Sequence, residues 1–87
     1  MIERETTIVN SLGLHARPAA ELVKLATSFE AELEIVKDGM AVNAKSIMGV
    51  MMLAAEEGST LIIRGDGPDE SPAVEALCHL VQGGFGE

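Results

Sequence analysis

A chain of 87 residues leaves room for one domain, expected over 1–87, with one modest core. Its formal charge of −8 and its lack of Trp and Tyr argue against nucleic acid, which selects basic faces and stacking aromatics. No apolar stretch is long enough to insert in a membrane, the first residues lack signal-peptide order, and the lone Cys78 cannot close an internal disulfide, so a cytoplasmic protein is expected.

Residues 2–9 read as a first strand, because Thr6, Thr7, Ile8 and Val9 have β preference. Asn10-Ser11-Leu12-Gly13 is loop chemistry. Over 16–27, Ala19, Leu22, Val23 and Ala26 recur at helical spacing and predict a helix that buries this face. Phe29 is expected in the core. Residues 32–36 alternate cleanly, with Leu33 and Ile35 inward, and Asp38-Gly39 signals a hairpin that returns over 40–43. A second, short helix follows Ser46, which fits an N-cap; Val50 and Leu53 point to the core. Ile47, Met48 and Met51 remain for the surface, where flexible methionines suit several partners. Residues 60–64 read as a buried strand that Gly65-Asp66-Gly67-Pro68 ends. The last helix runs over 70–82, with Pro72 in its first turn and Ala73, Val74, Leu77, Leu80 and Val81 buried; Gly83-Gly84 stops it. The order β-α-β-β-α-β-α makes an α/β (α+β) fold, a two-layer open-faced sandwich.

The stretch that carries chemistry is Gly13-Leu14-His15-Ala16-Arg17-Pro18-Ala19. It places His15 at a helix start, where free backbone N–H groups of Ala16 and Arg17 and the helix dipole favour an anion. Arg17 adds a guanidinium, so the stretch can hold a phosphate. A neutral imidazole is also a good nucleophile near pH 7.

These residues resemble the active-site signature of the histidine-containing phosphocarrier (HPr) family of the bacterial phosphoenolpyruvate-dependent sugar phosphotransferase system. Asn43-Ala44-Lys45-Ser46-Ile47-Met48-Gly49 resembles the family's regulatory serine site, and Gly84-Phe85-Gly86-Glu87 is similar to many members. The resemblance implies an antiparallel sheet in the order 1-4-2-3. It implies that His15 accepts a phosphoryl group on Nδ1 from phosphorylated Enzyme I, with Arg17 stabilising it, and passes it to enzyme IIA components of sugar uptake. Such a chain is a covalent carrier without a cofactor and not an independent catalyst. Phosphorylation of Ser46 by a Ser kinase, reversed by a phosphorylase, is implied as regulation. A docking face is implied over Leu12, Ala16, Ala20, Lys24, Ile47, Met48, Gly49 and Met51. A monomer is expected of a carrier that meets successive partners.

Other chemistries fit less well. A second reading is a regulatory binding module, in which phosphorylated Ser46 controls a transcription regulator or a metabolic enzyme. A zinc site would need about four suitably spaced ligands, whereas His15, Cys78, His79 and scattered carboxylates offer no such set. Ser11, His15 and Asp66 or Asp69 lack the nucleophile elbow of a hydrolase.

Overall fold

The elements are β1 (Ile2–Thr7), α1 (Ala16–Thr27), β2 (Glu32–Lys37), β3 (Met40–Asn43), α2 (Ile47–Met52), β4 (Thr60–Asp66) and α3 (Glu70–Gln82), followed by a 3-10 turn at Gly84–Gly86. They are seen in a computed structural model that describes residues 1–87. The strands form one antiparallel sheet in the order β1-β4-β2-β3. This is the two-layer arrangement, and the strand order, that the sequence and its resemblance led us to expect.

Register follows from the alternation. Ile35 pairs with Ile63 and Leu33 with Gly65, so one face collects Leu33, Ile35, Leu61 and Ile63, all buried. The helices cover that face. From α1 come Ala19, Leu22 and Ala26; from α2 and its cap, Val50 and Leu53; from α3, Ala73, Val74, Leu77, Cys78 and Val81. Each fully buried Leu or Ile contributes about 1.5–3 kcal/mol. The other face is open and charged: Arg64 lies between Glu3, at 2.6 Å, and Glu34, at 3.4 Å.

The expected ends of β1 and β4 shift. β1 stops at Thr7, although Ile8 still donates to the Ser59 carbonyl at 2.9 Å and accepts from Gly58 at 2.8 Å. β4 does not stop at Arg64; it runs through Gly65 and Asp66. Gly65 is there for space, since a Cβ on it would lie 2.7 Å from a methyl of Val74. A glycine inside a strand marks such a close approach, and here it lets α3 settle on the sheet. Phe29, Val23 and Leu80 lie at the rim of the core, half-buried, because they fall on helix flanks or just beyond a helix end.

Two junctions fix α3. The Asp69 carboxylate accepts from the Glu30 and Ala31 N–H groups at 2.9 and 2.7 Å, which ties the start of α3 to the turn before β2. After Gly83 the chain turns over Gly84–Gly86 and buries Phe85. This turn carries Glu87 back to the loop that precedes α1.

Candidate functional site

The loop between β1 and α1 is locked from both ends. The Gly13 N–H donates to the Asn10 carbonyl at 3.1 Å, and Asn10 Nδ2 donates to the Gly13 carbonyl at 2.7 Å. Leu14 is buried, and its N–H donates to the Ala55 carbonyl at 2.8 Å. Gly13 has φ +67°, and a Cβ there would come within 2.8 Å of Glu56 Cα. No other residue satisfies both the dihedral and the approach.

That loop sets His15 as the N-cap of α1, in extended backbone with φ −76° and ψ −175°. Its carbonyl accepts from the Ala19 N–H at 3.0 Å, but its ring makes no capping bond. Pro18 has no N–H. The Ala16 and Arg17 N–H groups therefore remain as donors at the helix start, with the dipole's positive end behind them. Ala16 and Arg17 are exposed, and Arg17 forms no ion pair. His15 and Arg17 thus share one helix start, as expected from their spacing. None of the surface cavities is lined by either residue, so the site is an open surface and not a pocket for a small substrate.

The His15 ring has one side-chain partner. Its Nε2 lies 2.8 Å from Glu87 Oε2, and Glu87 Oε1 accepts from Asn10 Nδ2 at 3.0 Å. Partial burial pushes the Glu87 carboxyl up, but the bonds from Asn10 and His15, with the His15 and Arg17 charges, outweigh it and hold the group below the ordinary glutamate range. Spacing alone identified neither Asn10 nor Glu87 as a site residue. They lie 77 residues apart in sequence, so only the tertiary fold joins them. The one signal was the Gly84-Phe85-Gly86-Glu87 ending.

Ser46 is the N-cap of α2 and accepts from the Gly49 N–H at 3.1 Å. The side chains expected on a docking face are largely in water: Leu12 is 72% exposed, Met48 77%, Ile47 46% and Met51 44%. Ala20 and Lys24 are exposed too, Gly49 is half-buried, and α1 packs beside α2. Met52, at 66%, extends the apolar exposure of α2 beyond the residues singled out from sequence. Lys45 does not serve such a face freely, because its Nζ donates to the Phe29 carbonyl at 2.7 Å. That leaves Arg17 and Lys24 as the exposed cations of α1.

The structure does not bring His15 to Ser11, Asp66 or Asp69; its ring meets Glu87, and Asp69 caps the turn before β2. No group of three His, Cys, Asp or Glu side chains is arranged around a metal position. His79 is exposed on α3, while Cys78 is buried, and burial pushes its thiol up. No helix is long and apolar enough to cross a membrane.

A family model described as "PTS HPr component phosphorylation site" matches residues 2–83. The chain is 53% identical to the phosphocarrier protein HPr of Cupriavidus necator, over 100% of this chain and 98% of the relative. It is 46% identical to the HPr-like protein Crh of Halalkalibacterium halodurans, over 94% of this chain and 98% of that one. The crystal structure of an HPr from Thermoanaerobacter tengcongensis superposes with a TM-score of 0.96 at 44% identity, covering 100% of this chain and 98% of that chain. With the fold, the strand order and near-complete coverage all in agreement, the chain belongs to the HPr family, the phosphocarrier proteins of the phosphotransferase system.

Proposed function

We propose that residues 1–87 act as one phosphoryl-carrier domain whose accepting residue is His15. The observation that carries this reading is the N-cap placement of His15. Its ring makes no capping bond, and the Ala16 and Arg17 N–H groups and the Arg17 side chain, which forms no ion pair, belong to the same helix start. The donor is phosphorylated Enzyme I and the acceptor an enzyme IIA component of sugar uptake. The Nδ1 lone pair of His15 bonds to phosphorus as the phosphorus–donor bond breaks, the electron pair staying with the donor. The Ala16 and Arg17 N–H groups and the Arg17 guanidinium then face the phosphoryl oxygens. The second transfer reverses these steps onto the acceptor. An open, shallow surface suits this chemistry, because both partners are proteins that deliver their own reacting groups.

Docking uses Leu12 of the loop before α1 and Ala16, Ala20 and Lys24 of α1, all exposed, with exposed Ile47, Met48 and Met51 and half-buried Gly49 of α2. Ser46 lies within that face, and its phosphorylation is the regulatory step. A phosphate there retains an acceptor for the Gly49 N–H while adding charge where apolar partners meet, so it changes docking and not the fold. A Ser kinase/phosphorylase and a transcription regulator are the partners this implies. The carrier works in the cytoplasm as a monomer, for which the free, buried Cys78 and the exposure of both helices to successive partners are the support.

The test is phosphoryl transfer with purified Enzyme I and phosphoenolpyruvate, read by intact mass before and after mild acid. One acid-labile phosphoryl group, lost in His15→Ala, is the expected result. Labelling that persists in His15→Ala overturns the assignment of the site.

A further inference from the structure

We propose that the methionine stripe of α2, Met48, Met51 and Met52, is a reversible oxidation site: peroxide converts these thioethers to sulfoxides and so weakens docking at that face without unfolding the chain. The proposal rests on the docking role given above to α2 and adds a chemical control of it.

The distribution of sulfur carries the inference. The chain has five methionines, Met1, Met40, Met48, Met51 and Met52, and all five are exposed; none enters the buried cluster that forms the core. Methionine is a gap-filler of cores, yet α2 holds three of them in six residues and keeps all three in water. Positions 48, 51 and 52 are three and four residues apart, so they share one face of the helix, while Val50 and Leu53 point inward. No side chain of α2 carries a charge, so what this face offers a partner is apolar contact. The one other sulfur, Cys78, is buried, and burial pushes its thiol up, which keeps it in the unreactive protonated form. An oxidant in solvent therefore meets thioethers and not the thiol, and three of the five thioethers stand where partners dock.

The chemistry is a two-electron oxygen transfer. A lone pair on the methionine sulfur attacks one oxygen of hydrogen peroxide. The S–O bond forms as the O–O bond breaks, the electron pair leaves with the second oxygen, and the proton of the transferred oxygen joins it to give water. Sulfur is oxidised and peroxide is reduced. The product is polar and chiral where the surface was apolar. A partner that covers this face must then strip water from an S=O dipole, which costs free energy unless a donor replaces that water. Reduction reverses the change: two thiols of a methionine sulfoxide reductase become a disulfide as the oxygen leaves in water. Because no methionine is buried, neither direction opens the core.

The experiment treats the purified chain with hydrogen peroxide and removes the excess with catalase. Oxidised positions are read by peptide mass spectrometry, the unfolding midpoint by circular dichroism, and phosphoryl acceptance with Enzyme I and phosphoenolpyruvate. Met48, Met51 and Met52 are expected to gain one oxygen each and Cys78 none, with an unchanged midpoint. KM for the oxidised chain is expected to rise about tenfold at unchanged kcat, as when burial of an apolar side chain is lost from docking alone, and sulfoxide reductase should restore it. A triple variant, Met48→Leu with Met51→Leu and Met52→Leu, is compared only with itself before and after peroxide. Its KM should not respond, although the exposed Met1 and Met40 still oxidise. Unoxidised α2 methionines, an unresponsive KM in oxidised wild type, a lowered midpoint, or a triple variant that responds as wild type does each overturns the proposal. Untreated wild type that accepts no phosphoryl group overturns the carrier reading and the docking half of the proposal, whereas the oxidation map is read on the chain alone, so the two failures are told apart.

Discussion

Gly13→Ala tests whether the loop before His15 is set by the fit of a single residue. Two costs are readable at Gly13. Its φ of +67° costs an L residue about 1–2 kcal/mol. The added Cβ would also press on backbone, 2.8 Å from Glu56 Cα, and overpacking of this kind costs roughly 1–3 kcal/mol. The sum, about 2–5 kcal/mol, lowers the midpoint of a domain this size by about 10 °C or more. Gly58 is the control: it has φ +89°, but nothing lies within 4 Å of its Cβ position, so Gly58→Ala should lose only the dihedral cost. The assay is thermal and urea unfolding of both variants beside wild type. Because the Leu14 N–H is bound to Ala55, relief of the overlap displaces His15 as well, and phosphoryl acceptance should slow in Gly13→Ala alone. If Gly13→Ala unfolds no earlier than Gly58→Ala, the packing half of the reasoning is wrong.

Ala54 has φ +49° immediately after the Leu53 cap of α2, the position where helices favour glycine. Ala54→Gly should therefore stabilise the chain by up to about 1 kcal/mol, and a lower urea midpoint would contradict this. Asp69 is held below the ordinary aspartate range, first by the Glu30 N–H and, against the cost of burial, by the Ala31 N–H. Its contribution is complete above the unfolded aspartate value and drains away as pH falls through the lowered folded value. Asp69→Asn should thus flatten the acid limb of stability against pH, and an unaltered limb would count against the junction. Ser46→Ala removes the acceptor for Gly49 and should cost about 1 kcal/mol, whereas Ser46→Asp keeps a good cap and the fold but weakens binding to Enzyme I. Titration calorimetry that finds Ser46→Asp binding as wild type does would separate Ser46 from the docking face.

Local pattern carried most of the fold. The alternation in β2, the spacing of Ala19, Leu22 and Ala26, and the Ser46 cap each lie within one or two turns of chain, where side-chain period and backbone chemistry agree. The end of β4 was hidden because Gly65-Asp66-Gly67 has the composition of a turn; only the Val74 methyl over Gly65 explains a glycine inside the strand. The placement of His15, Arg17 and Ser46 at helix starts was legible because their neighbours announce those starts. Glu87 and Asn10 were not, since their partners lie 72 and 77 residues away and no local period connects them. The same holds for the partner of Lys45, since the position of the Phe29 carbonyl that its Nζ meets is a tertiary fact.

A carrier must release what it accepts, so the most direct test is the complete relay. The chain is first phosphorylated with Enzyme I and phosphoenolpyruvate, freed of both, and mixed with an enzyme IIA domain while intact masses of the two proteins are followed. The expected result is that the IIA domain gains one phosphoryl group as this chain loses it, with no transfer when His15→Ala replaces wild type. A phosphoryl group that stays on this chain, or that leaves from a residue other than His15, contradicts the account.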